Sequence, residues 1–263
     1  MPEGHTLHRL AQDIARDLLA HPLTVTSPQG RFDDANQVDQ QSLRHAEAIG
    51  KHLLLHFSNE CIVHVHLGLF GRFRRHKLPA PEARATTRMR LLGPSHAWDL
   101  SGPTACALLG DDELAILRAR IGADPLSATA DVASAWSAVH RTRRAMGAVL
   151  LDQSVISGLG NIYRAEILFL AGVHPETRGC DLPRAAFDQI WADSQRLLAR
   201  GVKERRIATV PAPPGTKRLK RSESLYVYHR AICRVCAGPI GRVTLAARPC
   251  YFCPQCQPLS VHA

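Results

Sequence analysis

The sequence predicts an α+β chain in three parts. An N-terminal helix leads into antiparallel sheets packed on each other, a helical middle follows, and a small cysteine-rich module ends the chain. Three observations carry this reading. Apolar residues first repeat at helical spacing and then, after Pro22, alternate with a period of two. From Asp131 to about Ile207 the pattern is helical throughout. Five of the eight cysteines crowd between Cys233 and Cys256.

The first helix is predicted over Thr6 to Leu19. Leu7, Leu10, Ile14, Leu18 and Leu19 share one face, and His5 and Thr6 stand at the cap positions. Leu53 to Phe57, Ile62 to Leu67 and Met89 to Leu92 read as strands separated by Gly, Pro and Ser turns. Consecutive strands with no helix between them pack as layered antiparallel sheets, which makes residues 1–125 one domain. Residues 131–222 form a second. One helix ends near Asp152, another runs from near Asn161 through Glu166 and Leu170 to Gly172, and a third spans Ala185 to Leu198. Val210 to Arg221 is too rich in Pro, Lys and Arg for a packed element. Residues 226–263 form the cysteine module.

The formal charge is +10 over 263 residues, with a pI of about 9.6, which favours a polyanionic partner such as nucleic acid. No 18-residue apolar run and no basic-then-apolar leader is present, so the expectation is a soluble, cytoplasmic protein without a membrane partner. In that compartment the crowded cysteines fit metal ligands better than a disulfide framework, while Cys61, Cys106 and Cys180 stand alone.

Cys233-x2-Cys236 and Cys253-x2-Cys256, sixteen residues apart, form the pattern of one closed, tetrahedral structural zinc site. Cys250 would break the symmetry of the two pairs and is left out. Gly241 to Tyr251, between the pairs, is predicted as a two-stranded hairpin with Arg242 and Arg248 able to point at phosphate. Asp152 to Arg164 reads as helix, tight Gly158/Gly160 turn, helix. A helix N-terminus capped by Asn161 presents N–H groups to an anion, although an ordinary helical hairpin fits the same residues.

At the other end, removing Met1 from Met1-Pro2-Glu3-Gly4 leaves a secondary amine at Pro2. An α-amine titrates at roughly pH 8, so part of it is nucleophilic at neutral pH. Its attack on a sugar's anomeric carbon gives an iminium ion, and Glu3 beside it can act as general acid or base. Lys51 leads into a strand, as a solvated edge residue or as a catalytic one. His64 and His66 share a strand face, where packing or hydrogen bonding is favoured over metal binding. Leu67-Gly-Leu-Phe-Gly71 is a turn whose apolar residues serve either as core or as a wedge between stacked bases.

Met1-Pro-Glu-Gly, Gly50-Lys51, Gly158-Leu-Gly-Asn161-Ile-Tyr and the four-cysteine terminus with Arg248, in this order, resemble the formamidopyrimidine-DNA glycosylase/endonuclease VIII family over essentially the whole chain. Pro2-Glu-Gly-His-Thr6, His66 to Gly71 and Arg248-Pro-Cys-Tyr-Phe-Cys253-Pro-Gln-Cys are more similar to its endonuclease VIII branch, especially the actinobacterial members. The resemblance implies a two-layered β-sandwich with an N-terminal helix, a helix–two-turn–helix domain and a zinc finger, with DNA in the cleft between them. It also implies a monomeric, bacterial, nucleoid-associated base-excision repair enzyme acting on double-stranded DNA that carries a damaged base or an abasic site.

Pro2 then matches the nucleophile that displaces the base, and Glu3 the group that protonates the opening sugar. Lys51, Asn161 and Arg248 match phosphate contacts, and β- and δ-eliminations follow. The everted nucleotide leaves a void at the wedge. Relatives that favour oxidised purines carry Met at that turn and Arg and Phe on a neighbouring loop. Here the turn holds Leu69 and Phe70, and Trp98 to Cys106 has neither Arg nor Phe, so oxidised pyrimidines are the expected lesions. The alternatives are the same chemistry on oxidised purines, or a non-catalytic relative that binds damaged DNA.

Overall fold

The structure is a computed structural model that describes residues 2–216 and 218–259. Its chain divides into two compact units, Met1–Arg120 and Ile121–Ala263.

In the first unit, α1 (Gly4–Leu18) buries Leu7, Leu10, Ile14 and Leu18, the face that the spacing predicted. It starts two residues earlier than expected. His5 and Thr6 lie inside the helix, and the N-cap is Glu3, whose extended backbone lets its carbonyl accept the Thr6 N–H at 2.8 Å. There follow β1 (Thr24–Thr26), α2 (Ala35–Val38), β2 (Leu43–Ile49), β3 (His52–Phe57), β4 (Ile62–His66), β5 (Arg72–Lys77), β6 (Thr87–Leu92), β7 (His96–Ser101), β8 (Ala105–Leu109) and α3 (Asp111–Arg120).

The strands form two four-stranded antiparallel sheets, ordered β1-β6-β7-β5 and β2-β3-β4-β8. Alternate residues of both sheets share one core with α1. Leu53, Leu55, Val63 and Val65 come from one sheet, and Met89, Leu91, Trp98 and Leu100 from the other. The Asp17 carboxylate ties α1 to the second sheet by accepting the Trp98 indole N–H at 3.0 Å and two Arg75 bonds at 2.5 and 3.0 Å.

The second unit holds α4 (Val132–His140), α5 (Met146–Val149), α6 (Asn161–Leu170), α7 (Arg184–Glu204) and the hairpin β9 (Gly241–Leu245) and β10 (Arg248–Phe252). The helical reading of residues 131–207 is corrected here, because turns occupy 150–160 and most of 171–183. The third helix continues past Leu198 to Glu204. Leu197, Leu198 and Gly201 keep its inner face buried, and an Arg200–Glu204 pair at 2.6 Å supports its last turn. The Gly241–Tyr251 hairpin forms as expected, and the described residues among 211–220 contribute no packed element. Cys233, Cys250 and Cys253 join the core built around α6 and α7, so the hairpin is seated on helices. Among the described residues, no helix is long and apolar enough to cross a membrane.

Candidate active site and nucleic-acid interface

Strand register gathers the N-terminal candidates at one end of the β2-β3-β4-β8 sheet. Gly50 and Lys51 form the two-residue turn between Ile49 and His52, which are paired, and Gly50 supplies the positive φ (57°). His52 also pairs with His66, the last residue of β4, so the Leu67–Gly71 turn leaves from the same end as Lys51. Helix α1 packs on β2 and finishes beside its start, where Leu19 bridges Leu43. A 15-residue helix and a seven-residue strand are each about 23 Å long. The start of α1 therefore lies toward the Lys51 end, with Glu3 fully buried and Pro2 half-buried before it. Met1 lies outside the described residues.

The outward face of the same strands carries a row of imidazoles. His52 Nδ1 and His64 Nε2 are 2.8 Å apart, so one ring donates to the other, and the His66 ring centroid lies 4.9 Å from that of His52. Hydrogen bonding and packing thus account for His64 and His66. Burial, then the neighbouring rings, Arg120 at the end of α3, and Lys51 push His52 down to about 3. Burial, then His66 and Arg120, push His64 down to about 4. His66 is lowered by burial and by Lys51.

The unfolded chain protonates these rings near pH 6.5 while the folded state keeps them neutral. Stability should therefore fall as pH drops from about 6.5 and level off near 4 to 3, where the folded rings charge as well. A His52→Gln/His64→Gln variant should lose less stability than the parent between about pH 6.5 and 4.5, read from urea midpoints. Equal losses would mean that the row contributes nothing.

Leu69 and Phe70 stand out from the turn, 53% and 86% exposed, where core residues would be covered. Two glycines make the turn possible. A Cβ on Gly68 (φ 62°) would fall 1.9 Å from Thr104 Oγ1, and one on Gly71 would fall 2.2 Å from the Leu67 carbonyl. The Trp98–Cys106 stretch is a real neighbour, because the site of a Cβ on Gly102 lies 3.5 Å from the Phe70 carbonyl oxygen.

In the second unit, Gly158 (φ 86°) turns the chain into α6, and the Gln153 side chain braces the turn by bonding Gly158, Leu151 and Leu159 backbone groups. Asn161 is not the cap. Gly160 occupies that position without a side-chain cap bond, and Asn161 is the first helical residue. Its amide instead faces the hairpin, Nδ2 donating to the Pro249 carbonyl at 3.0 Å while Oδ1 accepts from Arg164. Arg164 is fully buried and donates further to the carbonyls of Gly147 (2.9 Å), Leu245 (3.1 Å) and Pro249 (3.1 Å). These bonds fix α6 against the hairpin tip, where Ala246 and Ala247 both take positive φ, as a two-residue primed turn requires, and Arg248 begins β10.

The four predicted cysteines converge, with all their sulfurs within 4.8 Å of one another. Cys233 and Cys256 sulfurs are 3.9 Å apart, and those of Cys236 and Cys253 are 3.4 Å apart. The Val235 and Gly238 N–H groups point at the sulfurs of Cys233 and Cys236 at 3.4 Å, which favours thiolates there. Four thiolates so placed fit a tetrahedral metal ion, and Cys250 stays outside the set.

Sequence reasoning missed Arg164, Glu166 and His52. Charged residues within Ile-Tyr-Arg-Ala-Glu-Ile-Leu-Phe-Leu were the available signal for the first two, since such side chains are buried only when paired or hydrogen-bonded.

Comparison with known proteins agrees with this geometry. Residues 1–98 match the formamidopyrimidine-DNA glycosylase N-terminal domain, and residues 121–211 match the formamidopyrimidine-DNA glycosylase H2TH domain. The chain is 42% identical to Endonuclease 8 1 of Mycobacterium tuberculosis over 267 residues, covering 98% of this chain and 100% of that protein. It is 30% identical to Endonuclease 8 of Escherichia coli (98% and 100% covered) and 31% identical to the formamidopyrimidine-DNA glycosylase of Thermosynechococcus vestitus (99% and 97%). The fold is that of the Lactococcus lactis Fpg solved with abasic-site DNA, with TM-score 0.81, 19% identity, and 98% of this chain and 100% of that one covered. On these matches the chain belongs to the formamidopyrimidine-DNA glycosylase/endonuclease VIII family of DNA repair enzymes.

Proposed function

We propose that this enzyme is a bifunctional DNA glycosylase and abasic-site lyase that removes oxidised pyrimidines from duplex DNA in the bacterial cytoplasm. The gathering of Glu3, Lys51, Leu69 and Phe70 at one end of one sheet is the observation that carries the reading. With Met1 removed, the Pro2 nitrogen attacks C1′ of the everted nucleotide and the bond to the base breaks. Glu3 gives a proton to the ring oxygen as the sugar opens, leaving an iminium ion on Pro2. Loss of a proton from C2′ then expels the 3′ phosphate, and a second elimination expels the 5′ phosphate.

Lys51 holds the phosphate beside the lesion. Asn161, whose amide has a second N–H besides the one given to Pro249, and Arg248 hold the flanking phosphates. The four cysteines hold one structural zinc ion, which supplies folding energy to the hairpin and takes no part in the chemistry. The working modules are residues 1–125, 131–222 and 226–263, acting as a monomer.

Lesion choice follows from the wedge. Leu69 and Phe70 fill the void with apolar surface and offer no donor to the opposite base, and 42% identity to a mycobacterial Endonuclease 8 1 supports the same placement. Single-turnover excision should be about tenfold faster for thymine glycol or dihydrouracil than for 8-oxoguanine opposite cytosine. Changing the base opposite thymine glycol should alter the rate by less than about threefold. Faster removal of 8-oxoguanine would assign the enzyme to oxidised purines.

A further inference from the structure

Strand β5 is the last strand of its sheet and, among the described residues, pairs with β7 alone. Register decides which of its backbone groups look outward. Arg72 pairs with Ser101, and the ladder continues past the strand to Leu78, whose N–H donates to the Ser95 carbonyl at 3.0 Å. Antiparallel neighbours bond at every second residue. Arg72, Arg74 and His76 therefore direct their N–H and C=O groups to β7, and Phe73, Arg75 and Lys77 direct theirs away from it. Among the described residues, none of those outward groups has a backbone hydrogen-bond partner. The open edge runs for about 20 Å, with no proline or register shift to block pairing.

The side chains decide what can pair there. Phe73 turns toward the core, its ring 6.2 Å from that of Trp98, so Arg72, Arg74 and His76 share the opposite face. Arg75 is bound to Asp17, whereas among the described residues Arg72, Arg74 and Lys77 have no ion pair, and the strand contains no acidic residue. A second copy of β5 would set these cations against their own kind. A nucleic acid would meet the charge but, lacking backbone amides, would leave the ladder open. An extended acidic peptide satisfies both. We propose that β5 is a docking edge for an acidic segment of a partner protein, which adds as a fifth, antiparallel strand. Its carboxylates lie beside Arg72 and Arg74, and its alternate, apolar side chains lie beside Phe73. Docking here goes beyond the excision reaction and needs none of the residues assigned to it.

The probe is a fluorescein-labelled synthetic peptide in which Asp alternates with Val, long enough to span β5. Its Val residues share the Phe73 face, so in an antiparallel pair their amides are the ones that bond to β5. Three other ligands are compared with it: the same peptide with its Val amides N-methylated, a version with Lys in place of Asp, and a single-stranded oligonucleotide of equal charge. Binding to the full-length protein is read by fluorescence anisotropy, and amide exchange along β5 by NMR. Arg72→Glu/Arg74→Glu reverses the charge of the edge. Lys77→Pro removes one outward N–H and leaves the ladder to β7 intact.

N-methylation of the peptide and charge reversal of the edge should each weaken binding by about tenfold or more, and Lys77→Pro by about threefold or more. The Lys peptide should not bind. At saturation the Asp–Val peptide should slow exchange of the Phe73, Arg75 and Lys77 amides by about tenfold. If circular dichroism shows that Arg72→Glu/Arg74→Glu has not folded, the N-methylated peptide and Lys77→Pro carry the test. Binding that is indifferent to N-methylation reports charge attraction alone and overturns the docking edge. No binding of the Asp–Val peptide to the parent overturns it as well. Tighter binding of the oligonucleotide than of the peptide, lost on charge reversal, assigns β5 to nucleic acid instead.

Discussion

Cys253→Ser will release the metal and unfold the terminal module while the first unit stays folded. A serine hydroxyl is a poor substitute for a thiolate, and closing a four-thiolate site supplies about 10–16 kcal/mol that is also the module's folding energy. Cys253 is a demanding place to lose a ligand. It is fully buried, its N–H donates to Gln257 Oε1 at 2.9 Å, and Gln257 Nε2 donates on to the Val173 carbonyl at 2.7 Å. Unfolding here removes the hairpin against which Asn161 and Arg164 are fixed, and Arg248 with it. Zinc content should fall from about one ion per chain to none, and damaged-DNA affinity by about a hundredfold or more. Cys250→Ala, outside the sulfur cluster, should keep its zinc. Full zinc content in Cys253→Ser would remove that residue from the site.

A residue left ahead of Pro2 will stop base removal and strand cleavage together. In the free protein the proline nitrogen is a secondary amine with an available lone pair, and in a peptide bond it is an amide without one. Retaining Met1, or placing a tag before Pro2, should lower both rates by about a thousandfold or more while DNA binding changes little. Glu3→Gln should separate the steps differently. The amine survives, so binding persists, but the proton needed at the opening sugar is missing and excision falls by about a hundredfold or more. Comparable excision by blocked and unblocked protein would move the nucleophile elsewhere.

Much of this was legible in the residues because the relevant signals are local. The buried face of α1 follows from Leu7, Leu10, Ile14 and Leu18, whose spacing needs no knowledge of what covers them. The cysteine pairs and the hairpin between them are set by short-range geometry, and so is the Gly158 turn. What escaped the reading depends on partners distant in sequence. Asn161 reads as a cap because Asn caps helices well, but Gly160 takes that position and the amide turns to Pro249, 88 residues away.

Glu166 looks like an interior charge until its partners, 43 to 62 residues downstream, come into view. His52 gains its meaning only when β3 and β4 pair and set it beside His64 and His66. The start of α1 was displaced because Glu3 takes the cap by backbone conformation, with no side-chain cap bond to favour a capping residue there.

The covalent chemistry assigned to Pro2 is tested most directly by borohydride reduction during turnover on a thymine glycol duplex, followed by mass mapping of the trapped protein–DNA adduct. An iminium ion between Pro2 and C1′ predicts one stable adduct located at residue 2. Protein that retains Met1 should give no adduct. An adduct at Lys51 or any other lysine, or undiminished trapping when Met1 is present, would contradict the assignment of Pro2 as the nucleophile.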